Sequence, residues 1–162
     1  MDETPAPSLQ LPSHDLAIRK GEGLKDQIFD VLRRRWVALT PEERVRQAFT
    51  HHLMEDMGYP KGLMANEVPI TLGKTVKRCD TVIWAKDRSL LCVVEYKAPH
   101  VKISQKVLDQ ICRYNMTLKA RLLMVSNGLE HHAMLLDYDT MSVRHLDGIP
   151  SYEALESLLN VK

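Results

Sequence analysis

Arg78–Pro99 reads RCDTVIWAKDRSLLCVVEYKAP. It consists of two apolar, β-branched runs joined by the polar stretch Lys86-Asp87-Arg88-Ser89, the pattern of a hairpin. Three ionisable residues sit where a core-facing hairpin has no use for them: Asp80, Glu95 and Lys97. With the turn centred on Asp87-Arg88, positions whose numbers sum to 175 face each other. Asp80 then lies opposite Glu95, Val82 opposite Val93, and Trp84 opposite Leu91. Facing Cβ atoms in such a ladder are about 4.5–5.5 Å apart. The period of two puts Lys97 on the same face as Glu95, about 7 Å along the strand, and sends Tyr96 to the other. Two facing carboxylates repel unless a cation lies between them. A hard divalent ion such as Mg²⁺ is one solution, since it takes carboxylate oxygens. Lys97 would then stand beside the ion, where an ammonium can orient water or stabilise charge on an attacked phosphate. A structural ion pair near strand ends satisfies the same spacing, and spacing alone leaves both readings open.

Outward from this hairpin the pattern is mixed α/β. Thr40 is a helix N-cap with Pro41 at the first position and Glu43 three residues on, and Val45, Phe49, Leu53 and Met57 follow at helical spacing up to Gly58. Glu67–Leu72 reads as a strand that Pro69 marks as an edge or an irregular pairing, and Gly73-Lys74 as its turn into the hairpin. Gly73-Lys74-Thr75 is no phosphate loop, because Val68 stands where that motif needs glycine and a strand follows instead of a helix. Ile103–Lys119 is a second helix. Arg121–Ser126 is a buried strand ended by Asn127-Gly128, parallel to the Glu95 strand because a helix crosses between them. Ala133–Tyr138 and Ser142–Leu146 form a further hairpin, and a closing helix runs from Tyr152 to Leu159. Before the first helix, Leu16–Phe29 forms a small hairpin around Gly21-Glu22-Gly23, and Arg33–Arg35 lead into the helix. Residues 1–14 are expected to be a flexible or loosely laid arm, and 15–162 a single domain.

The chain has 162 residues, 44% of them hydrophobic and 27% charged, with a net charge of +1. That is an ordinary globular composition with no global basic field, so a polyanion site must come from local clusters such as Arg33–Arg35 or Lys74, Lys77 and Arg78. Three cysteines without a CxxC pair point to a reducing, cytoplasmic setting. No apolar run has the length of a membrane span or a signal-peptide core. The seven histidines show no HExxH spacing; His51-His52 and His131-His132 are adjacent pairs that point in different directions.

Asp80 with Glu95-Tyr96-Lys97 resembles the PD-(D/E)xK nuclease superfamily, with Cys79 in place of its namesake proline. From about Asp15 to Asp147 the likeness is closer. LTPEERVRQ (39–47), Arg78-x-Asp80, VEYKAP (94–99), DQICRYN (109–115) and VSNGLEHH (125–132) resemble the N-terminal nuclease domain of type I restriction enzyme R (motor) subunits, and the stand-alone bacterial proteins built from it. The resemblance implies a restriction-endonuclease-like mixed β-sheet, with a core of helix, three strands, helix, strand, flanked by helices and preceded by the N-terminal hairpin. It implies Mg²⁺-dependent cleavage of DNA, in preference to RNA, with Mn²⁺ able to replace Mg²⁺. Asp80 and Glu95 take the role of metal ligands and Lys97 that of catalytic cation. Glu43 is the matching first-helix carboxylate, although Thr40-x-x-Glu43 is also a complete capping box; Arg46 and Gln47 are weaker candidates. Gln110 and Tyr114 match the family's Gln-x-x-x-Tyr and share a helix face, bracing the site or touching DNA. Arg78 and Lys74 are further candidates for DNA contact, and His100 is more simply a loop histidine. The chain carries no Walker motif for the ATPase that drives the motor subunits, so a targeting protein is an expected partner. A homodimer would suit double-strand cutting, and no membrane is implied. The competing expectation is a catalytically weak nuclease fold that binds nucleic acid or a protein.

Overall fold

The computed structural model describes residues 8–160; the expected arm's residues 1–7 lie outside them. Two sheets form. The smaller is antiparallel, with β1 (Ile18–Lys20), β2 (Asp26–Asp30) and β3 (Arg35–Ala38) in that order. The expected hairpin is present, pairing Ile18 with Ile28, but a third strand joins it through Ile28↔Val37 and Asp30↔Arg35. The basic run therefore makes a tight turn and does not lead straight into a helix. Asp30 sets that turn by accepting hydrogen bonds from the backbone N–H groups of Leu32 (2.8 Å) and Arg33 (3.0 Å), and Arg34 takes φ 57°. Arginine is not a residue that marks a left-handed turn, which is why the sequence hid it.

Helix α1 (Pro41–His51) begins as expected, the Thr40 hydroxyl accepting from Glu43 N–H at 3.0 Å. It runs on into a π-helical turn, His52–Asp56, and ends at Gly58 with φ 77°. The larger sheet follows: β4 (Met64–Leu72), β5 (Thr75–Trp84), β6 (Leu90–Tyr96), β7 (Leu122–Ser126), β8 (His131–Asp137) and β9 (Ser142–His145), adjacent in chain order. Only β6 and β7 are parallel, and α2 (Gln105–Met116), capped by Ser104, crosses between them. Helix α3 (Tyr152–Asn160) closes the described chain.

Alternation along the strands builds a core on each face of this sheet. Val94 and Tyr96 pack with Val45, Phe49 and Leu53 of the α1 segment and Leu155 of α3. Val93 and Val82 pack with Leu108, Ile111 and Cys112 of α2. Each such buried side chain is worth about 1.5–3 kcal/mol of transfer free energy. All three cysteines are buried and free.

The hairpin register sum of 175 holds at Thr81↔Val94, Val82↔Val93 and Ile83↔Cys92. It fails at Trp84, which pairs with Leu90 and not Leu91, because a bulge lies between Ile83 and Trp84. The bulge absorbs a longer turn than the expected two residues: Ala85 N–H bonds Ser89 O, and Arg88 takes φ 71°. A second irregularity faces Asp80. Glu67 of β4 has φ 56°, and the β4–β5 ladder skips the Glu67–Asp80 pair between Asn66↔Thr81 and Val68↔Cys79.

Residues 8–14 lie against the domain. Leu9 and Leu11 pack on the α1-side core, and Gln10 N–H bonds Gly128 O at 2.7 Å. Gly128 is needed there twice over: its φ is 86°, and a Cβ would sit 2.6 Å from Leu9. No helix among the described residues is long and apolar enough to cross a membrane.

Candidate active site

The site lies where β5, β6 and the start of α1 meet. Val94 and Tyr96 are anchored in the α1-side core, so Glu95 between them faces α2. Lys97 follows at the strand end, its N–H held by Ser126 O at 2.9 Å. Asp80 is one step past the last paired residues of β5, and its Oδ2 accepts from Tyr96 N–H at 2.9 Å. Asp80, Glu95 and Lys97 are all half-buried.

Electrostatics tie these groups together. Burial first, and then the charge of Asp80, push the Glu95 carboxyl above its ordinary value, while Lys97, Lys77 and a hydrogen bond with Asn115 pull it down. Burial likewise pushes Asp80 up, and the charge of Glu67 adds to it, against the Tyr96 N–H, Arg46 and Lys97. The two carboxylates thus share a half-buried place with too little positive charge around them.

Glu43 sits in a different setting. It is buried, and both oxygens are on guanidinium groups: Oε1 with Arg33 Nη2 (2.5 Å) and Oε2 with Arg46 Nε (2.7 Å). Arg46 also bonds Glu67 (2.7 Å) and donates to the backbone oxygen of Asp80 (2.9 Å). Arg33 pairs in addition with buried Asp30. Glu43 and Arg46 therefore brace Asp80 from behind. The α1 carboxylate that senses the site is the preceding one. Glu42 is exposed, and its carboxyl is raised by burial of part of its surroundings and then by Asp80, with Lys97 and Arg46 opposing. The capping-box pattern singles out Glu43; side chains one apart on a helix point in different directions, and the charges of Asp80 and Lys97 both act on Glu42. Gln47 is buried beside Glu43 (3.3 Å).

Gln110 and Tyr114 share the exposed face of α2, as their spacing requires, and line a groove of about 540 Å³ with Leu72, Thr75, Lys77 and Arg113. Lys77, which the sequence places only in a basic cluster, and Asn115, which it does not single out, connect this groove to Glu95. Lys77 of β5 is buried, its Nζ lies 3.6 Å from the centre of the Tyr114 ring, and it hydrogen-bonds Asn115. Burial pulls the Lys77 pKa down, with Cys79, Glu95 and Asp80 opposing. Asn115 is fully buried and also donates to Ile111 O at 2.8 Å. A polar residue on the stripe Leu108, Ile111, Cys112 was the available signal for it. Arg78 is exposed and pairs with Glu67 at 3.5 Å. Lys74 sits in the β4–β5 turn, six strand positions or about 20 Å from Asp80, so the fold does not bring it to the site. His100 is exposed in the loop after β6.

With this geometry in hand, comparison with known proteins gives one family. The model for the type I restriction enzyme R protein N terminus (HSDR_N) matches residues 41–150, more than half of the chain. The chain belongs to that family. The match takes in α1, β4–β9 and α2, and leaves out the small sheet and α3. A solved fragment from Vibrio vulnificus YJ016, described as an HsdR subunit of a type I restriction enzyme, has the same fold, with a TM-score of 0.52, 21% identity and 75% of this chain covered. This chain spans 25% of that one. No curated protein matches. The expected mixed α/β fold is thus the observed one.

Proposed function

We propose that this HSDR_N domain is a divalent-metal-dependent nuclease of the PD-(D/E)xK type, hydrolysing DNA phosphodiester bonds. One observation supports the reading: the β5–β6 ladder ends at Thr81↔Val94, which puts Asp80 and Glu95 at the next positions, and burial and the Asp80 charge raise the Glu95 carboxyl while Lys97 opposes them. The donor set fits Mg²⁺ or Mn²⁺, since these are hard carboxylate oxygen ligands whose values stay raised despite the cations nearby. Asp80 and Glu95 would hold the ion, with Glu42, not Glu43, as the third carboxylate. When bound, such an ion supplies electrophilic stabilisation to a phosphate and favours ionisation of water.

The protein's own groups supply the rest. Lys97 places a positive charge where negative charge grows on the phosphate oxygens. Tyr96 N–H orients Asp80, and Arg46 fixes the Asp80 backbone from the opposite side. Asn115, fixed on α2 by Lys77 and by the Ile111 carbonyl of its own helix, orients Glu95. The groove with Tyr114, Gln110 and Arg113 offers an aromatic face and a cation to a nucleic-acid strand, stacking and phosphate contact being the usual means. One site cuts one strand, so a double-strand cut takes two copies of the domain. With a net charge of +1, general affinity for DNA is low, and a separate targeting protein supplies the address. Three free, buried cysteines suit the reducing cytoplasm.

The test is cleavage of supercoiled and linear DNA with Mg²⁺ or Mn²⁺ by the wild type, Asp80→Ala and Lys97→Ala. Each substitution is expected to lower the rate by about 10²–10³-fold, the range for removing one group that stabilises transition-state charge. Cutting that survives both substitutions overturns the reading. Metal-dependent DNA binding with no cleavage under any condition would make the domain a binding module instead.

A further inference from the structure

A second cluster of ionisable groups lies outside this site, where the N-terminal segment crosses the end of the α1 segment. The π-helical turn places His52 and Asp56 on one side, with His52 Nδ1 2.7 Å from Asp56 Oδ2. His14 comes down onto the same oxygen, its Nε2 also at 2.7 Å. The three donor atoms all lie within 4.8 Å of one another. The His14 and His52 side chains are only 13% and 17% exposed, and Asp56 leaves the remaining side open at 33%. The other nitrogen of His14, Nδ1, is 2.5 Å from Glu55 Oε2. A carboxylate behind the imidazole is the arrangement that fixes the tautomer and orientation of a metal-binding histidine. The His14 ring also stacks on His51, with centroids 6.0 Å apart. Helical π-turns recur at functional positions.

We infer that His14, His52 and Asp56 form a binding site for a borderline divalent cation of the Zn²⁺ class, with Glu55 as the positioning residue behind His14. Two imidazole nitrogens and one carboxylate oxygen select such ions over Mg²⁺, which prefers oxygen alone. Ligand bonds of about 2.0–2.2 Å put tetrahedral ligand atoms roughly 3.4 Å apart, so the present contacts need only a small expansion to admit the ion. The three ligands leave an open coordination position facing solvent.

The consequence is structural. His14 directly follows the segment whose Leu9 and Leu11 cover the α1-side core. Gln10 in that segment bonds Gly128, and its carbonyl oxygen lies 2.8 Å from His131 Nε2. The ion would pin this segment to the π-helical turn, and through it cover the loop after Ser126, the β7 residue that holds Lys97 N–H.

The experiment uses the full chain, stripped with a chelator and titrated with Zn²⁺ alone by calorimetry and by thermal unfolding. The titrations are made in an Asp80→Asn background, which removes a ligand of the carboxylate site; this parent is expected to bind one equivalent and gain melting temperature, because the two sites share no ligand. His14→Ala and His52→Ala should each weaken binding by at least about tenfold. Glu55→Gln should cost about 10-fold, the lower end for a supporting carboxylate. Circular dichroism checks that each variant is folded. Excess Mg²⁺ should not compete. Equal Zn²⁺ affinity in the parent, His14→Ala and His52→Ala, or no stoichiometric binding at all, overturns the site and leaves an ionic clasp only.

Discussion

Two groups of charged residues lie back to back across Asp80, and they are opposite in kind. Behind it, Asp30, Arg33, Glu43, Arg46 and Glu67 alternate in sign, and each carboxylate has a guanidinium. In front, Asp80 and Glu95 face too little positive charge. The carboxyl groups report the difference. Burial acts to raise all four of the following, but hydrogen bonds from Arg33 and Asn66 bring Asp30 below its ordinary value, and Arg46 brings down Glu67. At Asp80 the Tyr96 N–H, Arg46 and Lys97, and at Glu95 Lys97, Lys77 and Asn115, oppose burial without offsetting it, and both carboxyls stay raised. A satisfied network is architecture. A surplus of one sign, held in place by that architecture, is a demand for a ligand.

The largest effect should come from breaking the satisfied side. Arg46→Met removes one of the two guanidinium partners of Glu43 and the nearer one of Glu67, and with them the donor to the Asp80 backbone oxygen. A loss of about 3–5 kcal/mol is expected by urea unfolding, as for removal of one partner of a buried pair. A loss under about 1 kcal/mol would mean that the network is merely a surface feature. Next in size is Lys97→Ala, which should lower metal-dependent cleavage by about 10²-fold, or roughly 2.7 kcal/mol of barrier, while the unfolding midpoint barely moves.

Acidity separates the two groups by sign. Asp30 and Glu67 have lowered values, so their stabilisation is present above the unfolded-state values and is lost as pH falls through the folded ones, below 3.8 and 4.5 respectively. Asp80 and Glu95 have raised values, so ionising them in the metal-free fold costs stability as pH rises through those values. Metal-free protein should therefore gain stability on acidification from neutrality toward the ordinary carboxylate range, and lose it below. An Asp80→Asn, Glu95→Gln double variant should lose the first limb and keep the second; a first limb that persists in that variant would point to other groups. The smallest effect follows from the same sign. Asp80→Asn keeps an acceptor for Tyr96 N–H and removes the surplus charge, so the metal-free protein at neutral pH should be more stable by on the order of 0.5 kcal/mol, against the usual direction of single substitutions. Denaturant titration without added metal checks it, and destabilisation would show that Asp80 is already compensated.

The sequence made the satisfied architecture hard to see and the surplus easy. Asp80, Glu95 and Lys97 stood out because charges interrupted an apolar hairpin, and the two-residue period placed them on one face. The register sum held up to the bulge at Ile83/Trp84, where a longer turn slid the pairing. Thr40 and Pro41 marked the start of α1, and the parallel β6–β7 pair followed from the crossover helix. Residues whose backbone conformation contradicts their type were hidden. Arg34 and Glu67 both adopt left-handed φ, and the third strand of the small sheet and the gap opposite Asp80 depend on them. Long-range polar partners were hidden too. Lys77 reaches Asn115 across 38 positions, and no local pattern announces such a bond. Glu42 was masked because its neighbour completes a capping box.

The contrast between the two faces of Asp80 is tested most directly by calorimetric titration with Mn²⁺ in a His14→Ala background, which disables the imidazole cluster. Binding is expected in that parent, lost on adding Asp80→Asn or Glu95→Gln, and retained on adding Glu43→Gln in protein shown to be folded. Binding that survives Asp80→Asn and Glu95→Gln but disappears with Glu43→Gln would place the ion on the wrong side of Asp80 and contradict this assignment.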